Sequence, residues 1–424
     1  MKKLIVKDFS CIKSADIDFS RLTIFIGPQA SGKSVLCKLT YFAIEAATSQ
    51  VDALTKRYSY EKFCEDVKRR FVEWFPTGAW GSGKFKIEFT AGNYSIALMR
   101  NARKEAMSDT FRIKLSPAFK AQYELLLKRA NQLHSSKTTH ELAERLDLEW
   151  GWKTFELSRD SLGKLMQSDQ VAWQMFVPAG RSFFTSIGKA IAAFEQGRVL
   201  DPLIVRFGRM YTSYKNERVY YGDGAAEAAA RDALQKRLND IFGGELKKDG
   251  DTEYVLTTDG RSIPLSALSS GQQELLPLFV VLPHFGGRLA SMAYIEEPEA
   301  HLFPSAQSKL VETLVAVVTR PGSKSGADLV VTTHSPYILA KINNLIKAGM
   351  LSRMTHVAKK KLEAILPRQA WLSGRVVNAY AIQNGVVRSI VDGDGLIDAE
   401  YLDGVSSDIS REFSELLELE AGHE

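Results

Sequence analysis

A glycine-rich segment near the amino end carries the clearest chemical signal in the sequence. It fits the pattern G-x-x-x-x-G-K-[ST], in which backbone N–H groups and the start of the following helix surround a chain of phosphates. Lys33 can reach the outer phosphates, and the hydroxyl of Ser34 can ligate Mg²⁺. The segment predicts a nucleoside triphosphate site at Gly27, Pro28, Gln29, Ala30, Ser31, Gly32, Lys33, Ser34 and Val35.

Two adjacent carboxylates follow an apolar run much later in the chain. Glu296 and Glu297 come directly after residues 291–295, and successive side chains of a strand point to opposite faces. We expect Glu296 to serve Mg²⁺ and Glu297 to position or deprotonate an attacking water. Because a glutamate pair at a strand end is more often solvated surface, this assignment depends on the glycine-rich segment.

Two further segments place polar groups where ligands commonly bind. A predicted helix start with small donors favours a γ-phosphate, although such a string read alone is an ordinary helix cap. His334 follows the apolar run 329–331, and open α/β sheets bind ligands at the carboxyl ends of their strands. The helix-start segment comprises Ser269, Ser270, Gly271 and Gln272.

The apolar pattern predicts the elements that must position these groups. Short strands are predicted at 4–9, 15–19 and 22–26, and the last meets Gly27 and an amphipathic helix. The alternation of strand and helix from 292 to 348 predicts a sheet with parallel strands. Hairpins are predicted at 84–100 and 376–391, helices at 116–165, 186–242 and 407–417, and further strands at 254–265.

The composition is that of an ordinary soluble chain. Its 424 residues, 45% of them hydrophobic, can bury a large core. No apolar run has membrane-spanning length and no signal segment is recognised, so we expect a cytoplasmic protein without membrane contact. Cys11, Cys37 and Cys64 form no Cys-x-x-Cys pair and are predicted to be reduced core thiols.

The charge leaves nucleic-acid contact open without requiring it. The net charge is +5, and charge runs are usually solvated faces, although they can also follow phosphates. Trp74 and Trp80 lie near one of the basic clusters. The clusters are Lys56-Arg57, Lys68-Arg69-Arg70 and Lys359-Lys360-Lys361.

In their order along the chain, the motifs resemble those of ABC-class ATPases. The glycine-rich segment, the segment 269–272, the strand end 295–297 and His334 resemble the Walker A, signature, Walker B and switch-histidine motifs. The D-loop of that series corresponds to Glu299, Ala300 and His301. The stretches 296–302 and 333–336 more narrowly resemble OLD-family and related SMC-like ATPases, many of which serve bacterial anti-phage defence, as in Septu, retron-associated and PARIS-type systems.

The resemblance implies a cofactor, a partner and an activity. ATP and Mg²⁺ would be bound between two head-to-head subunits, with Lys33 of one and Ser270 of the other on the same ATP. ATP hydrolysis would control a separate effector, a nuclease or toxin. Two departures from the family pattern are Ser270 at a signature glycine and Glu296 where most members carry aspartate. The family's Q-loop glutamine has no clear counterpart.

The fold class implied is α/β: an ABC-type head with a mixed, largely parallel sheet, an antiparallel β lobe and a helical insertion. Residues 1–50 and 186–350 would form the two parts of the head. Residues 51–185 would form a β-hairpin and helical insertion, and 351–424 a C-terminal hairpin and helix. Asp392-Gly393-Asp394 is predicted to be a turn, so no nuclease site of the chain's own is expected.

Two other functions remain open from the sequence. A DNA repair or chromosome-maintenance ATPase of the RecF or SMC kind would use the same heads on DNA and bind it with a salt-dependent affinity. A scaffold would use ATP only to hold the dimer together, with negligible turnover. Glu297 argues against the scaffold, because a scaffold needs no carboxylate to activate water.

Overall fold

The chain has the α/β fold that the sequence predicts. The computed structural model describes residues 1–81, 83–101, 111–134, 140–187, 200–216, 225–250, 252–285, 290–319, 326–398 and 411–416. The strands are β1 (Lys3–Phe9), β2 (Ile12–Asp18), β3 (Leu22–Ile26), β4 (Phe85–Ala91), β5 (Tyr94–Arg100), β6 (Arg112–Leu115), β7 (Trp173–Val177), β8 (Gly244–Asp249), β9 (Thr252–Thr257), β10 (Ser262–Pro264), β11 (Ser291–Glu296), β12 (Ala327–Thr333), β13 (Val377–Gln383) and β14 (Val386–Ser389).

Helices connect most of the parallel strands. The described helices are α1 (Lys33–Thr48), α2 (Gln50–Thr55), α3 (Tyr60–Trp74), α4 (Pro117–His134), α5 (His140–Met166), α6 (Ser182–Ile187), α7 (Pro202–Asn216), α8 (Ala225–Phe242), α9 (Ser270–Val281), α10 (Pro304–Val318), α11 (Pro336–Leu351) and α12 (Lys359–Ile365). Residues 411–416 are also helical. The rest of the helix predicted at 407–417 lies outside the described residues.

One long sheet joins most of the strands, in the order β6-β5-β4-β1-β2-β14-β13-β3-β12-β11-β7. The five strands from β13 to β7 run parallel to one another, as the strand–helix alternation predicts. The strands β1, β2, β4, β5 and β6 pair antiparallel. A separate antiparallel sheet contains β8, β9 and β10.

Both faces of the parallel region are buried. Along β11, Met292 and Tyr294 belong to one core cluster and Ala293 and Ile295 to the other. Every residue of β11 is buried, because helices and loops cover the sheet on both sides. The polar groups that follow the carboxyl ends of β11 and β12, Glu297 and His334, are in contrast partly exposed.

The two predicted hairpins form, and both belong to the main sheet. The β4–β5 hairpin extends the sheet because β4 pairs with β1. The β13–β14 hairpin lies inside the sheet, with β13 beside β3 and β14 beside β2. The antiparallel lobe and the C-terminal segment therefore share one sheet with the glycine-rich segment's strand.

The cysteine prediction is wrong at one position. Cys37 is buried on α1 and Cys64 is half-buried on α3, but Cys11 is exposed. Cys11 lies in the tight turn between β1 and β2, where Ser10 has a φ of 55°. A two-residue turn cannot bury both of its side chains in the core that its strands cover.

Among the described residues, no helix has the length and apolar character needed to cross a bilayer.

Candidate functional site

The glycine-rich segment forms a phosphate loop between β3 and α1. The five residues of β3 are all buried, and α1 begins at Lys33 directly after Gly32. Gly32 has a φ of 102°, and a Cβ there would lie 2.4 Å from Ile12 Cδ1. Only glycine fits this position. The loop residues 28–30 are exposed, which leaves their backbone open to a ligand.

The Lys33 side chain is hydrogen-bonded to the backbone of its own loop. Its ammonium donates to the carbonyls of Gly27 at 2.8 Å and Pro28 at 2.9 Å. Burial lowers the pKa of Lys33, and the nearby carboxylates, Glu297 first among them, oppose that shift. The buried Ser31 Oγ has no hydrogen-bond partner among the described residues. A cation beside an unpartnered hydroxyl suits a phosphate oxygen.

Glu296 ends β11 and faces the loop after β7. Its side chain is buried, and Oε2 accepts a hydrogen bond from the Ala179 N–H at 3.3 Å. Its Oε1 is buried without a partner among the described residues. Burial raises the pKa of Glu296, and the Ser34 hydroxyl works against this shift. A carboxylate and a hydroxyl side by side are the oxygen ligands that Mg²⁺ prefers.

Glu297 and His334 meet at the ends of neighbouring strands. Because β11 and β12 are parallel and adjacent, Glu297 Oε1 lies 2.8 Å from His334 Nε2. His334 Nδ1 in turn lies 3.5 Å from Lys33 Nζ. Both Glu297 and His334 are about one-third exposed, at 34% and 29%. The structure thus joins three motifs that lie far apart in the sequence.

The turn after Glu297 is held in a strained backbone conformation. Glu297 has a φ of 42° and His301 a φ of 60°, values that non-glycine residues seldom adopt. The Ala300 N–H donates to the Glu297 carbonyl at 3.1 Å. Such strain persists only where surrounding contacts hold it, and it is frequent at functional sites.

Glu299 fixes this turn to the His334 strand. Its side chain is buried, and Oε1 accepts from the Thr333 hydroxyl at 2.5 Å and the His334 N–H at 2.8 Å. The Oε2 atom is buried and has no partner among the described residues. Glu299 therefore sets the backbone position of His334 without touching its ring.

The segment 269–272 is a helix start, as the sequence predicts. Ser269 caps α9 and forms a reciprocal capping box with Gln272. Ser269 and Ser270 are exposed. A Cβ on Gly271 would lie 2.8 Å from the His301 carbonyl, so the start of α9 packs closely on the turn that follows Glu297.

Comparison with known proteins agrees with a P-loop ATPase. Residues 209–339 match the family model of the AAA ATPase domain. This stretch holds both glutamates and His334, and it excludes the phosphate loop. This stretch of the chain is therefore similar to an ATPase domain, and the contact between Lys33 and His334 connects the phosphate loop to it. No curated protein matches the sequence.

Three solved structures align with most of the chain at low identity. The SMC head domain from Thermotoga maritima has 12% identity and a TM-score of 0.37, covering 92% of this chain and 97% of that one. An SMC head bound to the C-winged helix domain of ScpA has 12% identity and a TM-score of 0.40, covering 92% and 96%. An SMC head with an extended coiled coil, bound to the C-terminal domain of ScpA from Pyrococcus furiosus, has 14% identity and a TM-score of 0.37, covering 97% and 100%.

The sequence analysis missed a buried charge pair behind the site, Arg181 and Glu274. Arg181 is fully buried after β7, and its guanidinium donates to the carbonyls of Glu296 and Glu297. Glu274, on α9, is its buried charge partner. The available signal was a charged residue in an otherwise apolar stretch, since such residues are buried only when paired.

The two tryptophans near the Lys68-Arg69-Arg70 cluster, and Arg70 itself, have their contacts inside the fold. Trp80 is fully buried and Trp74 is 9% exposed, so neither can stack on a base. Arg70 bonds the Ser49 hydroxyl and lies 3.9 Å from Glu45. The residues of the other two clusters, Lys56-Arg57 and Lys359-Lys360-Lys361, are exposed.

The Asp392-Gly393-Asp394 segment forms a turn, as predicted. The Asp392 carboxylate accepts from the N–H groups of Asp394 and Leu396, each at 2.9 Å. This is local turn chemistry, and it occupies the first carboxylate of the pair.

Proposed function

We propose that the chain binds and hydrolyses Mg-ATP between two head-to-head subunits, in the manner of ABC-type ATPases. The observation that supports this most strongly is the pair of contacts made by His334, to Glu297 on one ring nitrogen and to Lys33 on the other. A phosphate-binding cation, a histidine and a base thereby share one edge of the sheet.

The residues of this edge fit Mg-ATP. Backbone N–H groups of the loop and the ammonium of Lys33 would hold the phosphates, and Ser34 with Glu296 would hold Mg²⁺. Bound Mg²⁺ would neutralise charge on the phosphates. Glu297 is placed to accept a proton from water at its carboxylate. His334, bonded to that carboxylate, orients it and faces the phosphate end of the loop.

The exposed start of α9 supports the proposed closure of two subunits. Ser270 lies at the N-terminus of a twelve-residue helix, where N–H groups and the helix dipole favour an anion. Its side chain is exposed, and its neighbour Gly271 packs on the turn after Glu297. A second subunit placed face to face would bring Ser270 to the partner's ATP.

Two substitutions test this function directly. Glu297→Gln should keep ATP binding, lower phosphate release by about 10²–10⁴-fold and trap ATP-bound dimers. Lys33→Ala should weaken ATP binding itself, because it removes the phosphate-binding cation. The measurements are titration with a fluorescent ATP analogue, light scattering after gel filtration, and phosphate release.

A matched control is Glu65→Gln on the surface of α3, where Glu65 makes only an exposed ion pair with Lys62. It should leave all three measurements unchanged. Phosphate release that persists unaltered in Glu297→Gln would show that Glu297 is not the base.

For the wider role we propose control of a separate effector, a nuclease or toxin, in anti-phage defence. The support is the resemblance of residues 296–302 and 333–336 to OLD-like ATPases. The product of a neighbouring gene should co-purify with the chain. Addition of ATP should then release this protein or switch on its nuclease or toxin activity. DNA binding that requires ATP and weakens steeply with salt would instead favour the repair function, and absent phosphate release would favour the scaffold.

A further inference from the structure

A buried arginine joins three segments at the back of the candidate site. Arg181 donates to the carbonyls of Pro178 at 3.1 Å, Glu274 at 3.1 Å, Glu296 at 2.6 Å and Glu297 at 3.2 Å. Its side chain is fully buried. One guanidinium therefore holds the backbone of both Glu296, the proposed Mg²⁺ ligand, and Glu297, the proposed base.

The charge partner of Arg181 lies on the helix that begins at Ser270. The Glu274 carboxylate accepts from the backbone N–H groups of Arg181 at 2.8 Å and Ser182 at 3.2 Å, and from the Ser182 hydroxyl at 2.7 Å. Glu274 is one helical turn beyond Ser270. Hydrogen bonds to both oxygens of the Glu274 carboxylate thus connect the first turns of α9 to Arg181 and Ser182.

The requirement for arginine here goes beyond core packing. A buried ion pair gains little net stability over apolar residues of similar volume. A planar guanidinium, with five N–H donors, can bond several carbonyls from different segments at once, which a lysine ammonium on its flexible stem cannot reproduce. The arrangement is therefore better explained by fixed geometry than by stability.

A second contact connects the start of α9 to the turn after Glu297. Gly271, in the first turn of α9, packs against the His301 carbonyl. Glu297 and His301 both have left-handed backbones, so the turn between them keeps its shape only through surrounding contacts. The start of α9 touches this turn at its far end, while Arg181 holds it at Glu297.

We propose that Arg181 is a positioning residue that couples the placement of the Ser269–Gln272 segment to the reactivity of Glu297 in the same subunit. This rests on the proposed head-to-head function, in which Ser270 contacts the nucleotide of the partner. Docking of Ser270 at one nucleotide site then sets Glu297 at the other. Arg181 thereby makes the two ATP sites of the dimer cooperative.

The test is Arg181→Lys in the full chain. This change keeps the positive charge and removes the planar guanidinium with its five N–H donors. We expect ATP affinity to stay within about threefold, kcat to fall by roughly 10–100-fold as for other residues that support a site from behind, and the Hill coefficients for both ATP binding and hydrolysis to fall toward one. Glu274→Gln, a near-isosteric change that removes the ion pair, should give the same pattern if Arg181→Lys folds poorly.

A double-substitution cycle identifies the coupling. Ser270→Arg should block docking of the segment, and adding Arg181→Lys should then cost little more, because both changes act on one path. Independent effects that multiply would mean that Arg181 only supports the fold. A wild-type Hill coefficient of one, or an unchanged coefficient in Arg181→Lys, would likewise overturn the proposal.

The control is Arg100→Lys, at a buried arginine that donates to the Gly81 carbonyl and lies over the Trp80 ring. It should lower thermal stability and leave kcat and both Hill coefficients unchanged. Because cooperative binding needs no hydrolysis, wild-type protein that binds ATP cooperatively but releases no phosphate would contradict only the proposed hydrolysis. Arg181 would still be tested by the binding measurement.

Discussion

At the scale of single residues, the site is defined by side chains whose partners hold them in one orientation. His334 bonds Glu297 through its ring, and Glu299 fixes the backbone of His334. The Glu299 carboxylate keeps one oxygen bonded and one buried without a partner among the described residues. Such an under-satisfied carboxylate is costly, so Glu299 is better explained by the position it gives to His334 than by a gain in stability.

Glu299→Gln tests this role of Glu299. The amide would place a donor where the unpartnered oxygen lies and weaken the acceptor for His334, so the ring should lose its fixed orientation. We expect kcat to fall by about 10–100-fold with ATP affinity unchanged, since residues that support a site from behind commonly have effects of this size. Steady-state hydrolysis and ATP titration measure the two quantities.

Glu312→Gln is the matched control for that change. Glu312 lies on α10 and pairs with Lys341 at 2.5 Å, on helices that also flank the site. Its loss should leave kcat unaltered. Full activity in Glu299→Gln would show that His334 keeps its place without the carboxylate.

At the scale of elements, the phosphate loop depends on how α1 begins. Gly32 takes a left-handed backbone and sits against the β1–β2 turn, where a Cβ would lie 2.8 Å from Cys11 Sγ and closer still to Ile12. Both the backbone angle and the crowding exclude other residues. The β1–β2 hairpin thus packs directly against the phosphate loop. The sequence of the hairpin does not predict this contact.

Gly32→Ala should therefore abolish ATP binding and destabilise the fold. Gly81→Ala separates the two causes, because Gly81 has a φ of 86° and a Cβ added there would have no atom within 4 Å. The control should cost only about 1 kcal/mol of strain and bind ATP normally. Denaturant unfolding and ATP titration compare the pair. Equal losses in both variants would mean that crowding by the hairpin is irrelevant.

At the scale of the whole molecule, the C-terminal hairpin is part of the framework of the site. β13 lies between β3 and β14 in the sheet, and a Cβ on Gly27 would meet the Ile382 carbonyl at 2.6 Å. The β13 strand, which belongs to the last hairpin among the described residues, thus packs against the first residue of the phosphate loop. The site is built from both ends of the described chain.

A chain ending at residue 350 should therefore fail to fold, because β3 would lose a neighbour in the middle of the sheet. A chain ending at Asp398 keeps every described strand, and the side chains at 411–416 that it removes are exposed. We expect the longer form to remain soluble and bind ATP. Circular dichroism and ATP titration check both forms. A folded 350-residue chain would show that β13 is dispensable.

The sequence by itself predicted the candidate chemistry of the site and most local structure. The phosphate loop, the glutamate pair, the strand before His334 and the cap at Ser269 follow from patterns within a few residues of each other. Such short-range signals act through backbone geometry and apolar periodicity. They therefore depend little on tertiary contacts with the rest of the chain.

Only the tertiary structure decided which distant residues meet. The pairing of β4 with β1, the insertion of β13 beside β3 and the burial of Trp80 depend on contacts between residues far apart in the chain. The four carbonyls around Arg181 also depend on such contacts. No sequence pattern predicts which backbone atoms a buried guanidinium will bond. Strand order and buried polar contacts are properties of the assembled sheet, since they depend on which surfaces cover one another.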